Sequence, residues 1–188
     1  MNRLDKYISD MYSNNPYWFV EEVQQAHHIS RISKVLNNKV YLNGRHSILE
    51  KEDIKYKEKE LVTAKTILQT AKSIIKFHNS YIMGKRTSII GSDEMIKHYN
   101  NVFRHGKFNL TNYKIVDTLN CYGDCYEYVY YNGNKITSKL IASEDGYPIY
   151  DDEGNYVGFI EHWTDAISNI SYYYIYSDNK VDKITNRG

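Results

Sequence analysis

The segment GYPIYDDEGNYVGFIEHW, residues 146–163, decides the fold because it holds a turn between two strand-like runs. YPIY and YVGFIEHW are rich in aromatic and β-branched side chains, which favour strands. DDEGN stands between them, and Asp and Asn bond to the local backbone in tight turns while Gly adopts positive φ without strain. The segment therefore predicts an antiparallel hairpin with Gly154 in its turn.

The same region raises an alternative, because five carboxylates fall within residues 144–153. They are Glu144, Asp145, Asp151, Asp152 and Glu153. An EF-hand is excluded, since its loop needs ligands at alternate positions, a glycine at the sixth and a glutamate at the twelfth. Catalytic acids must converge from rigid positions, whereas three of these lead directly into Gly154. Turns are the favoured interpretation, and a metal-dependent nuclease or hydrolase that uses the last four acids is the alternative.

Two more hairpins are predicted after residue 123, where the apolar spacing changes from that of helices to that of strands. CYEYVYY and NKITSKLIA flank Asn132 and Gly133, and Asn-Gly is the strongest short hairpin signal. ISYYYIYS and KVDKIT flank Asp178 and Asn179 in the same way. The C-terminal third is therefore predicted to be antiparallel β.

Residues before 123 predict amphipathic helices, because apolar side chains recur every three or four positions. The predicted helices cover 16–40, 61–82, about 93–103 and 110–122. Asn15-Pro16 is typical of a helix start, and Ser92 or Asp93 is a suitable N-cap. We expect Gly84 to end the second helix in a left-handed conformation.

The links between these helices are predicted to be irregular or extended. Residues 44–60 are predicted to be a charged loop, and KRTSIIG (85–91) a short strand. The fold class is therefore α+β, with helices first and β-hairpins after them.

The amino-acid composition excludes several classes of protein. Lys and Arg total 24 against 23 acids, so no excess charge draws the chain to nucleic acid or anionic lipid. Cys121 and Cys125 provide neither a disulfide framework nor a zinc site. No signal peptide or apolar span of about 20 residues is present, which predicts a soluble, unexported chain. No cofactor is predicted.

The histidines and tyrosines raise the questions of a metal site and of nucleic-acid binding. His27 and His28 are adjacent, so we expect their side chains to point to different sides of the helix and not to form a metal site. Twenty tyrosines could stack on bases, and a small single-stranded nucleic-acid-binding module is a second alternative function.

Four segments, in order, resemble the portal proteins of tailed bacteriophages of the siphophage type. They are YLNGRHSIL (41–49), AKSIIKFHNSYIMGK (71–85), YGDCYEYVYYNGN (122–134) and GYPIYDDEGNYVGFIEHW (146–163). The chain departs from that pattern at Arg86, where proline is frequent, and at Asp124-Cys125, where a basic residue and alanine are commoner.

The resemblance implies a non-enzymatic virion protein, assembled in the host cytoplasm, that forms a dodecameric ring at one capsid vertex. Double-stranded DNA passes through the ring without specific recognition, and the partners are the capsid, the terminase and head-completion proteins. Residues 1–188 would form one wing-like region, mainly helical over 1–123 and antiparallel β over 124–188, with stem, clip and crown absent.

Two sets of structural residues follow from these expectations. The expected turn residues are Gly84, Gly123, Asn132, Gly133 and Gly154. The expected subunit contacts are Tyr126, Tyr128, Tyr130 and Trp163. No catalytic or metal-binding residue is predicted.

Overall fold

A computed structural model describes residues 3–57, 59–85, 88–178 and 180–187. The fold is α+β, as predicted. The helices are α1 (Arg3–Tyr12), α2 (Trp18–Glu22), α3 (Ala26–Leu42), α4 (Thr70–Met83), α5 (Asp93–His105) and α6 (Phe108–Tyr122). The strands are β1 (Ile54–Tyr56), β2 (Lys59–Leu61), β3 (Tyr126–Tyr131), β4 (Ile136–Ile141), β5 (Gly146–Tyr150), β6 (Tyr156–Asp165), β7 (Ile170–Tyr176) and β8 (Val181–Thr185).

The chain divides into two compact units. Unit 1 combines Met1–Ser33 with Ile141–Gly188, and unit 2 is Lys34–Leu140. The change from helices to strands at Gly123 therefore lies inside unit 2. Among the described residues, no helix is long and apolar enough to cross a membrane.

The four-stranded antiparallel sheet of unit 1 has the order β5-β6-β7-β8, and it contains two of the predicted hairpins. In the first, the amide of Asp151 donates to the carbonyl of Asn155 at 3.0 Å. The Asp151 carboxylate accepts from the amides of Glu153 and Asn155 at 3.0 and 2.8 Å. Gly154 adopts φ +80°. The acidic turn predicted from DDEGN is confirmed.

Helices α1 and α2 pack on this sheet. Phe19 of α2 contacts Tyr173 of β7, with ring centroids 4.9 Å apart. Leu4 of α1 lies over Gly158 of β6, where a Cβ would come within 3.1 Å of the leucine. The absence of a side chain at Gly158 therefore allows the helix to approach the strand. The core consists of Leu4, Tyr12, Trp18, Phe19, Val23, Tyr147, Ile149, Val157, Ile160 and Ile175.

The prediction of one helix over residues 16–40 is wrong, because the chain forms α2 and α3 with a break between them. The amides of Gln24 and Gln25 donate to carbonyls three residues earlier, which tightens and ends α2. Apolar spacing continues through the break, so periodicity could not reveal it. Helix α1 was not predicted.

In unit 2, the predicted cap of α5 and the hairpin of β3 and β4 are confirmed. Ser92 accepts a hydrogen bond from the amide of Met95 at 3.4 Å. The side chain of Asn132 accepts from the amides of Asn134 and Lys135 at 3.2 and 3.0 Å, and Gly133 has φ +86°.

The second predicted helix begins later than expected, at Thr70. A small hairpin formed by β1 and β2 precedes it, within the region that was predicted to be a loop. Hydrogen bonds from Thr63 attach the chain after β2 to the residues just before β1. The amide of Thr63 donates to the Asp53 carboxylate at 2.9 Å, and its hydroxyl donates to the carbonyl of Glu52 at 2.9 Å. These contacts compete with helix formation at residues 61–63, which were predicted to begin the helix.

Two expectations near the end of α4 fail. Gly84 has φ −66°, so it is not left-handed; it is glycine because a Cβ there would lie 2.5 Å from the carbonyl oxygen of Ser80. Residues 85 and 88–91 form no strand, and Arg86 and Thr87 lie outside the described residues.

Replacing Gly154 by alanine tests the acidic turn. A Cβ at Gly154 would meet no atom within 4 Å, so the only cost is that of positive φ. We expect Gly154→Ala to lower the free energy of unfolding by roughly 1–2 kcal/mol, measured by urea denaturation. Gly91→Ala is the control, since its Cβ would only touch Met95 at 4.0 Å. Equal stability of the two variants would contradict the assignment.

Candidate functional site

A buried carboxylate lies at the end of α2. Glu22 is 1% exposed, and its Oε2 accepts hydrogen bonds from the hydroxyls of Tyr7 at 2.9 Å and Tyr12 at 2.6 Å. Its Oε1 lies 3.0 Å from Nε2 of His28, which is also 1% exposed. Three neighbours thus replace the water that a carboxylate loses on burial.

Three helices supply this cluster, which we call the Glu22 network (Tyr7, Tyr12, Glu22 and His28). Both tyrosines come from α1, and His28 comes from the first turn of α3. Gln25, in the break between α2 and α3, donates to the Tyr12 hydroxyl at 3.2 Å. The break that the sequence did not reveal is therefore what brings α3 back toward the end of α2.

The hydrogen bonds set the protonation of the network. Burial alone would raise the pKa of Glu22, but hydrogen bonds from His28, Tyr12 and Tyr7 outweigh it, and the pKa lies below its usual value. Burial and the Glu22 carboxylate raise the pKa of Tyr12 to about 12 and that of Tyr7 further. At neutral pH the carboxylate is therefore ionised, and both hydroxyls remain protonated donors.

His27 lies beside this network, contrary to the expectation that it points away from His28. The two ring centroids are 3.9 Å apart. Ligand atoms of Glu22, His27 and His28 all lie within 4.8 Å of one another, while the His27 side chain stays exposed. Burial, followed by the neighbouring His28, lowers the pKa of His27. Because His27 and His28 are adjacent in sequence, no spacing motif predicted that both would lie close to Glu22.

The acidic hairpin, by contrast, brings its carboxylates to a cavity with mixed charge. Asp151, Asp152 and Glu153 line a cavity of about 450 Å³, together with Arg3 and Lys6 of α1. Asp151 is already engaged in the turn, and its pKa is lowered first by the Asn155 amide. Within the described residues, none of the five acids belongs to a group of three ligands close enough for one metal ion.

The expected turn residues occupy ends and corners of elements. Gly123 follows α6 with φ +88°, and its amide donates to the carbonyl of Leu119. Gly133 and Gly154 adopt φ +86° and +80° in their hairpins, and Asn132 precedes Gly133. Gly84 follows α4 without positive φ.

The expected contact residues are partly covered by other aromatic rings. Tyr128 and Tyr130 stack on the same face of β3, with centroids 5.4 Å apart. The hydroxyl of Tyr126 donates to the Asp124 carboxylate at 3.0 Å. Trp163 lies in unit 1, where it stacks on Tyr172 with centroids 5.0 Å apart.

Sequence reasoning missed an exposed apolar surface on α4. Ile74, Phe77 and Tyr81 are 53, 68 and 83% exposed, and the rings of Phe77 and Tyr81 are stacked. The sequence predicted an amphipathic helix here, without indicating which of its apolar side chains would be exposed. We call these three residues the α4 surface.

A different face of α4 contacts α6. The central residue of this contact is the buried Asn79 of α4. Its side-chain amide donates a hydrogen bond to the Asp117 carboxylate at 2.5 Å and accepts one from the Asn120 side chain at 2.8 Å. This contact is polar, and apolar burial is correspondingly small. Of the residues in 34–140 whose side chains are described, Val35 is the one apolar residue that is buried.

The two cysteines lie at and just beyond the end of α6. Cys121 and Cys125 are free, and burial raises the pKa of both thiols. The thiolate, which binds metals and attacks disulfides, is therefore disfavoured.

Replacing Tyr12 by phenylalanine tests the Glu22 network. The change removes the 2.6 Å hydrogen bond and leaves one fewer donor for a buried charge. We expect a loss of about 1–3 kcal/mol in unfolding free energy, measured by urea denaturation. Tyr17→Phe is the control, because Tyr17 is 68% exposed. A loss no larger than that of the control would show that the network contributes little.

The chain is similar to a known protein family over most of its length. The family model described as "Phage portal protein, SPP1 Gp6-like" matches residues 21–188. No curated protein sequence matches the chain significantly. The matched region covers most of the chain and includes parts of both units. The chain belongs to the SPP1 Gp6-like family of phage portal proteins.

Proposed function

We propose that this chain is a structural subunit of the portal, in which several copies form a ring at one capsid vertex and DNA passes through it during packaging and ejection. The family match over residues 21–188 carries this proposal. The family is structural, not enzymatic, and its role places the chain in the virion. Assembly would take place in the host cytoplasm, with capsid, terminase and head-completion proteins as partners.

We further propose that the chain has no catalytic activity. The acids that a nuclease would use are those of the hairpin, and Asp151 is occupied by the amides of its own turn. Arg3 and Lys6 face the same cavity and offset its negative charge. A metal-dependent nuclease needs acids free to bind the ion, so this geometry favours the structural role.

The uneven burial supports assembly with other copies. A unit of about 100 residues that folds alone buries a continuous apolar core. Unit 2 instead leaves many large apolar side chains exposed. Such extensive exposure is typical of surfaces that another protein covers.

The α4 surface is the part of unit 2 that we assign to the contact between copies. Phe77 and Tyr81 are aromatic, and aromatic residues are enriched in the centres of interfaces. In a closed ring each copy presents one surface to the copy before it and another to the copy after it. We propose that a neighbouring copy covers the α4 surface, and that both units belong to the wing-like region.

The charge of the chain is compatible with a DNA conduit. Each phosphate that a protein neutralises adds affinity through counterion release, and tight binding would hold the DNA in place. Lys and Arg number 24 against 23 acids. This near balance supports passage of DNA over tight binding.

Labelling of virions tests the portal assignment directly. The tails are first removed from particles of the phage that encodes the chain. The heads are then incubated with a gold-labelled antibody against the chain and imaged by electron microscopy. We expect label at a single vertex of the head. Label over the whole shell, or a chain absent from purified particles, would contradict the assignment.

A charge on the α4 surface tests the contact between copies. We expect Phe77→Asp to weaken self-association at least tenfold, because a carboxylate would be buried in an apolar contact. Self-association is measured by size-exclusion chromatography with light scattering. The circular dichroism spectrum should not change, because Phe77 is 68% exposed within one chain.

Ile167→Asp is the matched control. Ile167 is 98% exposed in the turn between β6 and β7, outside the α4 surface. We expect this variant to associate like the unmodified chain. A monomeric unmodified chain, or equal association of the Phe77 variant and the control, would contradict the assigned contact.

A further inference from the structure

We propose that Glu22, His27 and His28 form a binding site for Zn²⁺ or a similar imidazole-preferring divalent metal, with the fourth position open to solvent. The inference does not depend on the portal assignment. It rests on the geometry of three ligand-type side chains that two helices bring together. In the described part of the chain, they form the one such group whose ligand atoms all lie within 4.8 Å.

Two of the three ligands are nearly in place. Zinc binds histidine nitrogen and carboxylate oxygen at about 2.0–2.2 Å, so two ligands at the tetrahedral angle are roughly 3.3–3.5 Å apart. Oε1 of Glu22 and Nε2 of His28 are 3.0 Å apart. A widening of a few tenths of an ångström would admit the ion, which would replace the hydrogen bond between the two side chains.

His27 completes the set from the solvent side. Its side chain is exposed, and its ring lies against that of His28 at 3.9 Å between centroids. A change of side-chain rotamer can therefore move a ring nitrogen toward the other two ligands without disturbing the core. Exposure of His27 also provides the route by which an ion would enter and leaves room for a water ligand.

The remaining contacts of Glu22 support a metal-binding carboxylate. Its Oε2 accepts from Tyr7 and Tyr12, so the oxygen that would not bind the ion is already held in position. Metal-binding carboxylates are commonly hydrogen-bonded by such outer neighbours, which orient them. The ligand set of two imidazoles and one carboxylate matches zinc sites with an open fourth position.

The hard cations are not expected to bind here. Mg²⁺ and Ca²⁺ prefer sets of oxygen ligands, and this group offers a single carboxylate among two imidazoles. The chemical class of the ligand is therefore a borderline or soft divalent ion.

Calorimetric titration tests the site. The full chain, prepared without a polyhistidine tag and treated with a chelator, is titrated with Zn²⁺ at pH 7.5. We expect one equivalent to bind, and the melting temperature to rise when Zn²⁺ is present. Substituting Co²⁺ should give the visible absorption of a tetrahedral site, while Mg²⁺ should give no binding heat.

His27→Ala is the decisive variant, because His27 is exposed and is not a member of the Glu22 network. We expect it to fold like the unmodified chain in the absence of metal and to bind Zn²⁺ at least tenfold more weakly. His98→Ala is the matched control, since its side chain is 76% exposed on α5, and it should bind normally. No Zn²⁺ uptake by the unmodified chain, or unchanged affinity in His27→Ala, would overturn the proposal.

Discussion

The ionised carboxylate in the interior of unit 1 constrains much of what surrounds it. Glu22 can be buried only because Tyr7, Tyr12 and His28 are all within hydrogen-bonding distance. Removing water from a charge costs several kcal/mol unless such partners are present. The burial of Glu22 therefore fixes the positions of three elements relative to one another: helix α1, the break after α2 and the start of α3. The same arrangement places the apolar faces of α1 and α2 against the sheet.

The two units differ in how they are stabilised. Unit 1 has a continuous apolar core in which Phe19 and Tyr173 meet. Unit 2 relies on a polar contact around Asn79 and leaves the α4 surface exposed. For a member of a portal family, this difference is physically reasonable. In the proposed ring, neighbouring copies would cover the exposed apolar residues of unit 2.

Sequence patterns predicted the strands after residue 123 well and the segments before that residue less well. Turn residues such as Asn132, Gly133 and Gly154 act locally, so their effect can be read from short segments. The break between α2 and α3 could not be predicted, because the apolar spacing runs on through it. The hydrogen bond from Thr63 to Asp53, which holds Thr63 outside α4, joins residues ten positions apart and is not evident from local spacing.

The surfaces and the site were harder to predict than the fold. The sequence predicted α4 as an amphipathic helix, but the spacing of its apolar residues does not indicate whether Phe77 faces its own chain or another molecule. Grouping of Glu22 with His27 and His28 depends on the direction in which α3 leaves the break. That direction follows from the Glu22 network as a whole, and no local motif encodes it. The resemblance to portal proteins, by contrast, followed from the order of four segments and is confirmed by the family match.

The division of unit 1 between the two ends of the chain has a consequence for synthesis on the ribosome. Its N-terminal part, which includes α1 and α2, packs with residues that begin at Ile141, and about 100 residues of unit 2 separate the two parts. At roughly 5–20 residues per second, Phe19 waits on the order of ten seconds before Tyr173 has been made. During that interval the apolar sides of α1 and α2 have no sheet to cover them. The nascent chain is therefore most prone to aggregation while these apolar sides are exposed. A chaperone that binds unfolded chains would be of most use during that interval.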